Sequence, residues 1–391
     1  MSNEIVLRSL IDYLEVIERN EIGECYFRGE SKKYNRIIAS CYRKNLIDLE
    51  SYVIDEMIDE YFYEVSSKLT SLEKNNFIAY SQHHGLPTNL IDITSSPLVA
   101  LYFACQGNEI DNGFVYMFDK HKFLNFSDEL SGKSIVHIYN KLIEYDDSII
   151  LLLFEKLLDS YDKSGRDIFS IFLIKYLKDY KNVITDSNIE FTVEVNELLK
   201  IIDEILEKNA IGILYTDEFS YIYLDKFLEV NVYKNNNFYN FRNIYHSLES
   251  SVEILYEYVE YPKEQIIFFL SLFVFLLNNS IKNNGLDQPE FPLILYTPEI
   301  KFDRMKLQSG KFIYQNFLED VNVRLNNGNP ENLAQKIDYD QKIEIKNKSK
   351  ILSQLDILGI NKATLFGDSD NIASYIYEKY NGYKMIDFNN L

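Results

Sequence analysis

Between Ile266 and Leu277 the chain reads Ile-Ile-Phe-Phe-Leu-Ser-Leu-Phe-Val-Phe-Leu-Leu, an apolar run broken by a single hydroxyl. A helix built from it has no polar face to turn toward water, so it must be covered on all sides. At twelve residues the run is well short of the roughly 20 that a membrane-spanning helix needs. It therefore predicts a helix buried in a substantial core, with no membrane span. A chain of 391 residues is long enough to supply that core, as one large domain or two ordinary ones. Its balance of 46% apolar and 26% charged residues is that of a globular protein.

Charge narrows the ligand classes. The formal net charge is −20, and a field of that sign repels phosphate backbones and anionic lipid headgroups. Nucleic acid is thus not expected as the main ligand, although a local basic pocket escapes the penalty. Cys25, Cys41 and Cys105 are odd in number and scattered, which argues against a disulfide framework. The five histidines form no His-Glu-x-x-His motif and no cluster with cysteine, so no metal is expected. The opening Met-Ser-Asn-Glu-Ile-Val lacks the basic start and apolar core of a secretory signal. A cytoplasmic protein is the expectation.

Periodicity predicts helices over 5–19 and 51–69, and from Leu72 to His83, the last stopping near Gly85 and Pro87. Cys25-Tyr-Phe-Arg-Gly-Glu reads as a short strand ending at a glycine turn, and Gly113 to Phe118 as a buried strand. Ser96-Pro97 marks a helix start: serine can cap free N–H groups, and proline suits the first helical position. From about 135 to 280 the pattern is mostly helical, broken near 160–167, 185–190 and 235–243. A strand follows at Phe291–Thr297, short elements at Phe302–Phe317, and helices at 349–359 and Asp370–Lys379. The expected organisation is an N-terminal core part over 1–129, a mainly helical insertion over 130–291 and a C-terminal core part over 292–391.

Two stretches concentrate polar chemistry. Arg28 follows two aromatics and precedes Gly29. Its guanidinium is a rigid fork suited to phosphate or carboxylate, and Gly29 would let a ligand approach the backbone. The alternative is an arginine paired to Glu30 or to a distant carboxylate. The second stretch runs from Gln82 to Phe103. His83 and His84 precede a Gly-Leu-Pro turn, and Asp92, Thr94, Ser95 and Ser96 lie just before a helix start, where unpaired amides favour an anion. Capping by Ser96 explains part of this pattern; ligand binding by the same loop stays open. No Gly-x-Ser-x-Gly elbow supports a serine hydrolase. Glu30 and Asp92 could pair as glycosidase carboxylates, but the sequence fixes no separation between them. Gly107-Asn-Glu-Ile-Asp-Asn-Gly lacks the ending of a phosphate-binding loop.

Together the two stretches resemble the FRG domain family, named for its Phe-Arg-Gly motif. Phe27-Arg28-Gly29 matches that motif, and Gln82-His83-His84-Gly85-Leu86-Pro87-Thr88 matches its glutamine–histidine–aromatic–glycine–leucine–proline–threonine segment. Leu90, Asp92 and Thr94, then Pro97, Ala100, Leu101, Phe103 and Ala104, continue the match. It resumes at Arg304, Gln308, Gly310 and Phe312, and closes through Leu355, Gly359-Ile360 and Leu365-Phe366. His84 stands where the family often has an aromatic, Asn89 where arginine is frequent and Ile93 where tryptophan is frequent.

The resemblance implies an α+β fold with an ADP-ribosyltransferase-like split β core and a large helical insertion. It implies NAD as a substrate, used for ADP-ribosyl transfer or cleavage by a toxin or antiphage defence effector. By that pattern Arg28, His84, Asp92 and Gln308 are the catalytic candidates, and Arg28, Gly29, Thr94, Ser95 and Ser96 hold the dinucleotide. Gln308 falls where those enzymes carry a glutamate. A glutamine supplies no negative charge to an oxocarbenium ion, though it can hydrogen-bond a ribose hydroxyl. Either Glu30 or Asp92 is then the acid, or the chain is a non-enzymatic sensor of a nucleotide or phage component whose helical insertion binds a protein partner.

Overall fold

The computed structural model describes residues 5–19, 24–43, 51–130, 132, 134–161, 168–186, 193–207, 223–229, 233–234, 237–238, 241–256, 262–282, 288–300, 302–318 and 333–387. Ten strands are present among them: β1 (Ile5–Leu7), β2 (Cys25–Glu30), β3 (Leu90–Thr94), β4 (Gly113–Asp119), β5 (Phe123–Asn125), β6 (Tyr233–Lys234), β7 (Asn237–Phe238), β8 (Leu293–Tyr296), β9 (Gly310–Tyr314) and β10 (Gln341–Ile345). Eight of them form one mixed sheet in the order β1-β10-β4-β2-β3-β9-β8-β5, and β6 and β7 pair separately. The class is α+β, as expected.

Alternation along β4 explains how helices come to cover both faces of the sheet. Successive side chains of a strand point to opposite faces. Phe114, Tyr116 and Phe118 enter one buried cluster, while Val115 and Met117 enter another. The second cluster is closed by the helices Leu10–Arg19, Pro97–Ala104 and Lys348–Ile357. The first continues without a break through Phe291 into the helices Ile168–Asp186 and Lys263–Lys282. Every residue from Ile266 to Leu277 is buried, with Phe273 against Phe291 at 4.5 Å and Phe275 against Tyr180 at 4.9 Å. The apolar run is a core helix, and no helix among the described residues is long and apolar enough to cross a membrane.

The chain leaves the sheet at β5 and returns at β8, its parallel neighbour, with Leu124 opposite Ile294. Parallel neighbours require a crossover, and the described part of this one is mostly helical. The breaks expected at 160–167 and 185–190 fall largely outside the described residues, whereas part of 235–243 forms the β6–β7 pair.

Three expectations change. The segment expected as a helix over 5–19 begins as β1, because Ile5-Val-Leu7 pairs with Ile343–Ile345 of β10. The helix expected from Leu72 to His83 breaks at Asn76. That residue's side chain accepts from the Tyr296 hydroxyl at 3.2 Å and the Glu299 amide at 3.1 Å, so tertiary bonds outweigh helical continuity. The 302–317 region contains a full strand, β9, following the short helix Asp303–Leu307.

Two close approaches fix how the layers meet. A Cβ on Gly29 would lie 1.9 Å from the Ala100 carbonyl oxygen, and one on Gly113 would lie 2.0 Å from the Ala104 carbonyl oxygen. The helix Pro97–Ala104 therefore lies directly on β2 and β4, its small Ala100 and Ala104 against glycine. Neither neighbour is a flexible side-chain end, so the backbone itself would have to move. Gly29→Ala is expected to lower stability by at least the ~1–3 kcal/mol typical of overpacking, read as a fall in the urea midpoint at unchanged slope.

Candidate functional site

Strands β2 and β3 share one register pair, Phe27 opposite Thr94. Beyond it they part, and a cavity of about 330 Å³ occupies the gap. Phe27, Arg28 and Gly29 of β2 line it, with Asp92, Ile93 and Thr94 of β3. Arg28 spans the opening in place of a ladder bond, its Nη1 donating to the Asp92 carbonyl oxygen at 2.8 Å.

Arg28 and Glu30 are two apart on a strand and so face the same way. Nε of Arg28 donates to Glu30 Oε1 at 3.0 Å, with side chains 15% and 6% exposed. Both sequence alternatives for Arg28 hold at once: it is paired to Glu30 and it lines a cavity. Burial pushes the nearby Tyr116 hydroxyl upward, and the Glu30 carboxylate adds to that.

Asp92 is exposed on the cavity wall. Its Oδ1 accepts from Gln82 Nε2 at 3.2 Å. Gln82 is oriented in turn by the Thr88 hydroxyl, which donates to its Oε1. Gln82 was absent from the candidate set derived from sequence, yet it aims the carboxylate.

The histidine on the cavity is His83; His84 does not line it. The helix Phe77–His83 presents Ala79, Gln82 and His83 to the cavity, the i, i+3, i+4 set of one helix face. His84 is the helix cap and packs tilted against Tyr80, ring centres 4.3 Å apart, outside the cavity lining. Helical spacing alone would have separated the two histidines.

Thr94 and Gln308 both line the cavity, but their polar atoms are partly committed to structure. The Thr94 hydroxyl donates to the Gln308 carbonyl oxygen at 2.7 Å and accepts from the Ser96 amide at 2.9 Å. Gln308 Nε2 donates to the Leu365 carbonyl oxygen at 3.1 Å. Ser96 caps its helix, accepting from the Val99 amide at 3.4 Å, as its sequence position predicts. Ser95 is exposed, and neither serine lines the cavity. Gly29 does line it, but the nearby Ala100 carbonyl is what demands a glycine there.

The strand break also gathers cations. Arg304 and Lys311 join Arg28 on the lining, against the single carboxylate of Asp92. The Arg304 guanidinium lies 4.7 Å from the Phe366 ring centre, and Lys311 Nζ donates to Thr297 Oγ1 at 3.3 Å. In a chain of net charge −20 this is a local basic pocket. Two further cavities, of about 440 and 200 Å³, share Arg28 with it, and Arg43 lines both.

Residues 23–112 match the family described as FRG domain. The chain carries an FRG domain. No curated protein and no solved structure matches the chain. The FRG domain supplies both strands that diverge and the Gln82–Asp92 pair, whereas Arg304, Gln308 and Lys311 come from outside the matched residues. Of the three departures from the family pattern, Ile93 lines the cavity. Asn89, just before β3, is buried, donating to the Gln315 carbonyl oxygen at 3.3 Å. His84 stands exposed.

His83 stacks face to face on Phe302, ring centres 4.1 Å apart. Its partial burial lowers its pKa from the ordinary 6.5, and the nearby His84 and Arg304 lower it further. The folded ring stays neutral where the unfolded chain takes a proton, so this contribution to stability is present above about 6.5 and lost as pH falls below it. The His83 ring resonances, followed by NMR, are expected to titrate below 6.5 in the folded protein.

Proposed function

We propose that this FRG domain binds NAD at the break between β2 and β3 and cleaves its nicotinamide–ribose bond, passing the ADP-ribosyl group to water or to an acceptor. The proposed setting is the cytoplasm, as a toxin or antiphage effector. The observation that carries the reading is convergence. Arg28, Asp92, Thr94 and Gln308, widely separated in sequence, line one cleft at a divided sheet, as in the ADP-ribosyltransferase-like split core that the motifs resemble. The helical segment 130–291 is read as an insertion in that core.

The chemistry follows from the lining. The 330 Å³ cavity is at the low end of the ~300–1,000 Å³ of ligand pockets, enough for one half of a dinucleotide. The adjoining cavities sharing Arg28 extend the groove for the other half. Arg28 keeps donors beyond the two committed to Glu30 and Asp92, and these suit a pyrophosphate or carboxamide. As the C1′–N bond breaks, nicotinamide leaves with the electron pair and the ribose becomes an oxocarbenium ion. The Asp92 carboxylate, aimed by Gln82, stabilises that charge and takes the proton of the attacking nucleophile. Gln308 Oε1 accepts from a ribose hydroxyl.

A second reading is favoured by Gln308 itself. An amide stands where a carboxylate would be expected, and it is tied to Leu365. A nucleotide sensor needs no such charge. In that reading Ile254 and Leu255, 76% and 64% exposed on the helix Phe241–Tyr256, are surface for a protein partner.

The test of the shared step is NAD binding by calorimetry. Removing Arg28 alone would strand a buried carboxylate, a change worth about 3–5 kcal/mol of stability, so Arg28→Lys is the cleaner variant. It keeps a charge for Glu30 and loses the rigid fork. Wild type is expected to bind NAD and Arg28→Lys to bind about tenfold more weakly or worse. Equal affinities would remove Arg28 from the site, and no binding by wild type would overturn the NAD reading and leave a sensor of another ligand.

A further inference from the structure

A larger cavity, of about 950 Å³, lies away from the strand break, where the sheet meets the helical layer. One wall comes from residues 33–37 and from 334–342 around the start of β10. The other comes from the helices Ile168–Asp186 and Lys263–Lys282 and from Glu290.

The two walls differ in charge. Lys33, Arg36, Lys336 and Lys342 stand on the first, with one acid, Asp338, paired to Lys336 at 3.2 Å. Asp179 and Glu290 stand on the second, which Asn182 and Asn279 also line, and Lys175 is bonded to Glu290. Burial pushes both the Asp179 and Glu290 carboxyls up against the pull of Lys175, and Asp338 adds to the rise at Glu290. Tyr34, Tyr116 and Tyr339 supply flat apolar surface, with Tyr116 and Tyr339 ring centres 4.9 Å apart.

We propose that this cavity is a second ligand site, for a nucleoside phosphate, separate from the cleft at the strand break. The phosphate meets the cationic wall, the base lies on tyrosine, and the amino groups of the base donate to Asp179 and Asn182. A free phosphate would use only the first wall. A neutral aromatic would use neither set of charges. The volume lies within the ~300–1,000 Å³ range of small-molecule sites, with room for more than a phosphate group.

The site adjoins Arg28 by two routes. Tyr34, Asn35 and Arg36 line both this cavity and the 440 Å³ cavity that contains Arg28 and Glu30. Tyr116, on the second route, lies opposite Arg28 in the β2–β4 ladder. A ligand packed on Tyr116 and the 34–36 segment therefore presses on the residues that frame the Arg28–Glu30 pair.

Calorimetry of the full chain with AMP, GMP, CMP and UMP tests the site, together with hydrogen exchange to locate it. At least one of the four is expected to bind, and Lys33→Ala/Lys336→Ala to weaken it about tenfold or more. Arg28→Lys should weaken that binding less than the double lysine change does, since Arg28 does not line this cavity. Exchange should slow over 33–37 and 334–342, and change over 25–30. The inference is overturned if none of the four binds. It is equally overturned if binding survives the double lysine change and is lost in Arg28→Lys, which would assign the nucleotide to the strand break. NAD turnover enters none of these readouts, so a chain that never cleaves NAD can still pass them.

Discussion

A single methyl group on Gly29 would collide with the Ala100 carbonyl oxygen, and one on Gly113 with that of Ala104. The helix Pro97–Ala104 can therefore meet β2 and β4 backbone to backbone at these two glycines. The cleft depends on that approach. It brings Ser96 and the helix start up to the end of β3, where the Thr94 hydroxyl ties the strand to both the Ser96 amide and the Gln308 carbonyl. It also anchors β2 while β3 departs from it after one register pair. A sheet that divides leaves backbone groups without a ladder partner. Arg28 answers one of them, the Asp92 carbonyl, and in doing so stands at the mouth of the cavity.

Charge sets the character of what that opening can take. The surface as a whole is acidic, yet the cleft collects Arg28, Arg304 and Lys311 around one carboxylate. Glu30 balances Arg28 from the buried side. A buried ion pair contributes little net stability, because desolvation offsets the attraction, but it holds its members in one geometry. Arg28 is thus fixed before any ligand arrives, which lowers the entropy cost of binding. Lys348 does similar work on the far side of Gly29. Almost fully buried, it donates to the carbonyls of Ser31, Gln106 and Asn108 and joins the C-terminal region to the loops flanking β2 and the central helix.

Much of this was legible in the sequence where one local rule dominates. Ser96-Pro97 announced a helix start, the run at Ile266 announced a covered helix, and β2 and β4 showed as short apolar segments bounded by glycine or polar residues. The Phe-Arg-Gly and Gln-His-His-Gly-Leu-Pro-Thr blocks pointed to the family. What stayed hidden rests on distant partners. β1 is too short to declare itself and exists because β10 pairs with it. The break at Asn76 follows from Tyr296 and Glu299, more than 200 positions away. Gln315 and Gln335 look like surface amides, yet they are buried and exchange hydrogen bonds with Ala39, Asn316 and Phe291. Ser95 and Ser96 drew attention as polar residues near a helix start, but one is exposed and the other is spent on the cap. Gln82 was visible in the motif, but its orienting role needed the fold of the turn back to Asp92.

The central claim is that the carboxylate of Asp92 acts at the parted strands. Asp92→Asn changes that charge alone: the residue is exposed, and an amide oxygen can still accept from Gln82. The most direct test is nicotinamide release from NAD by wild type and by Asp92→Asn, with both proteins confirmed to bind NAD. Release by the wild type that falls at least a hundredfold in the variant, the lower range of a lost acid–base group, is the predicted result. Equal rates in the two proteins, or binding without release in both, would contradict it.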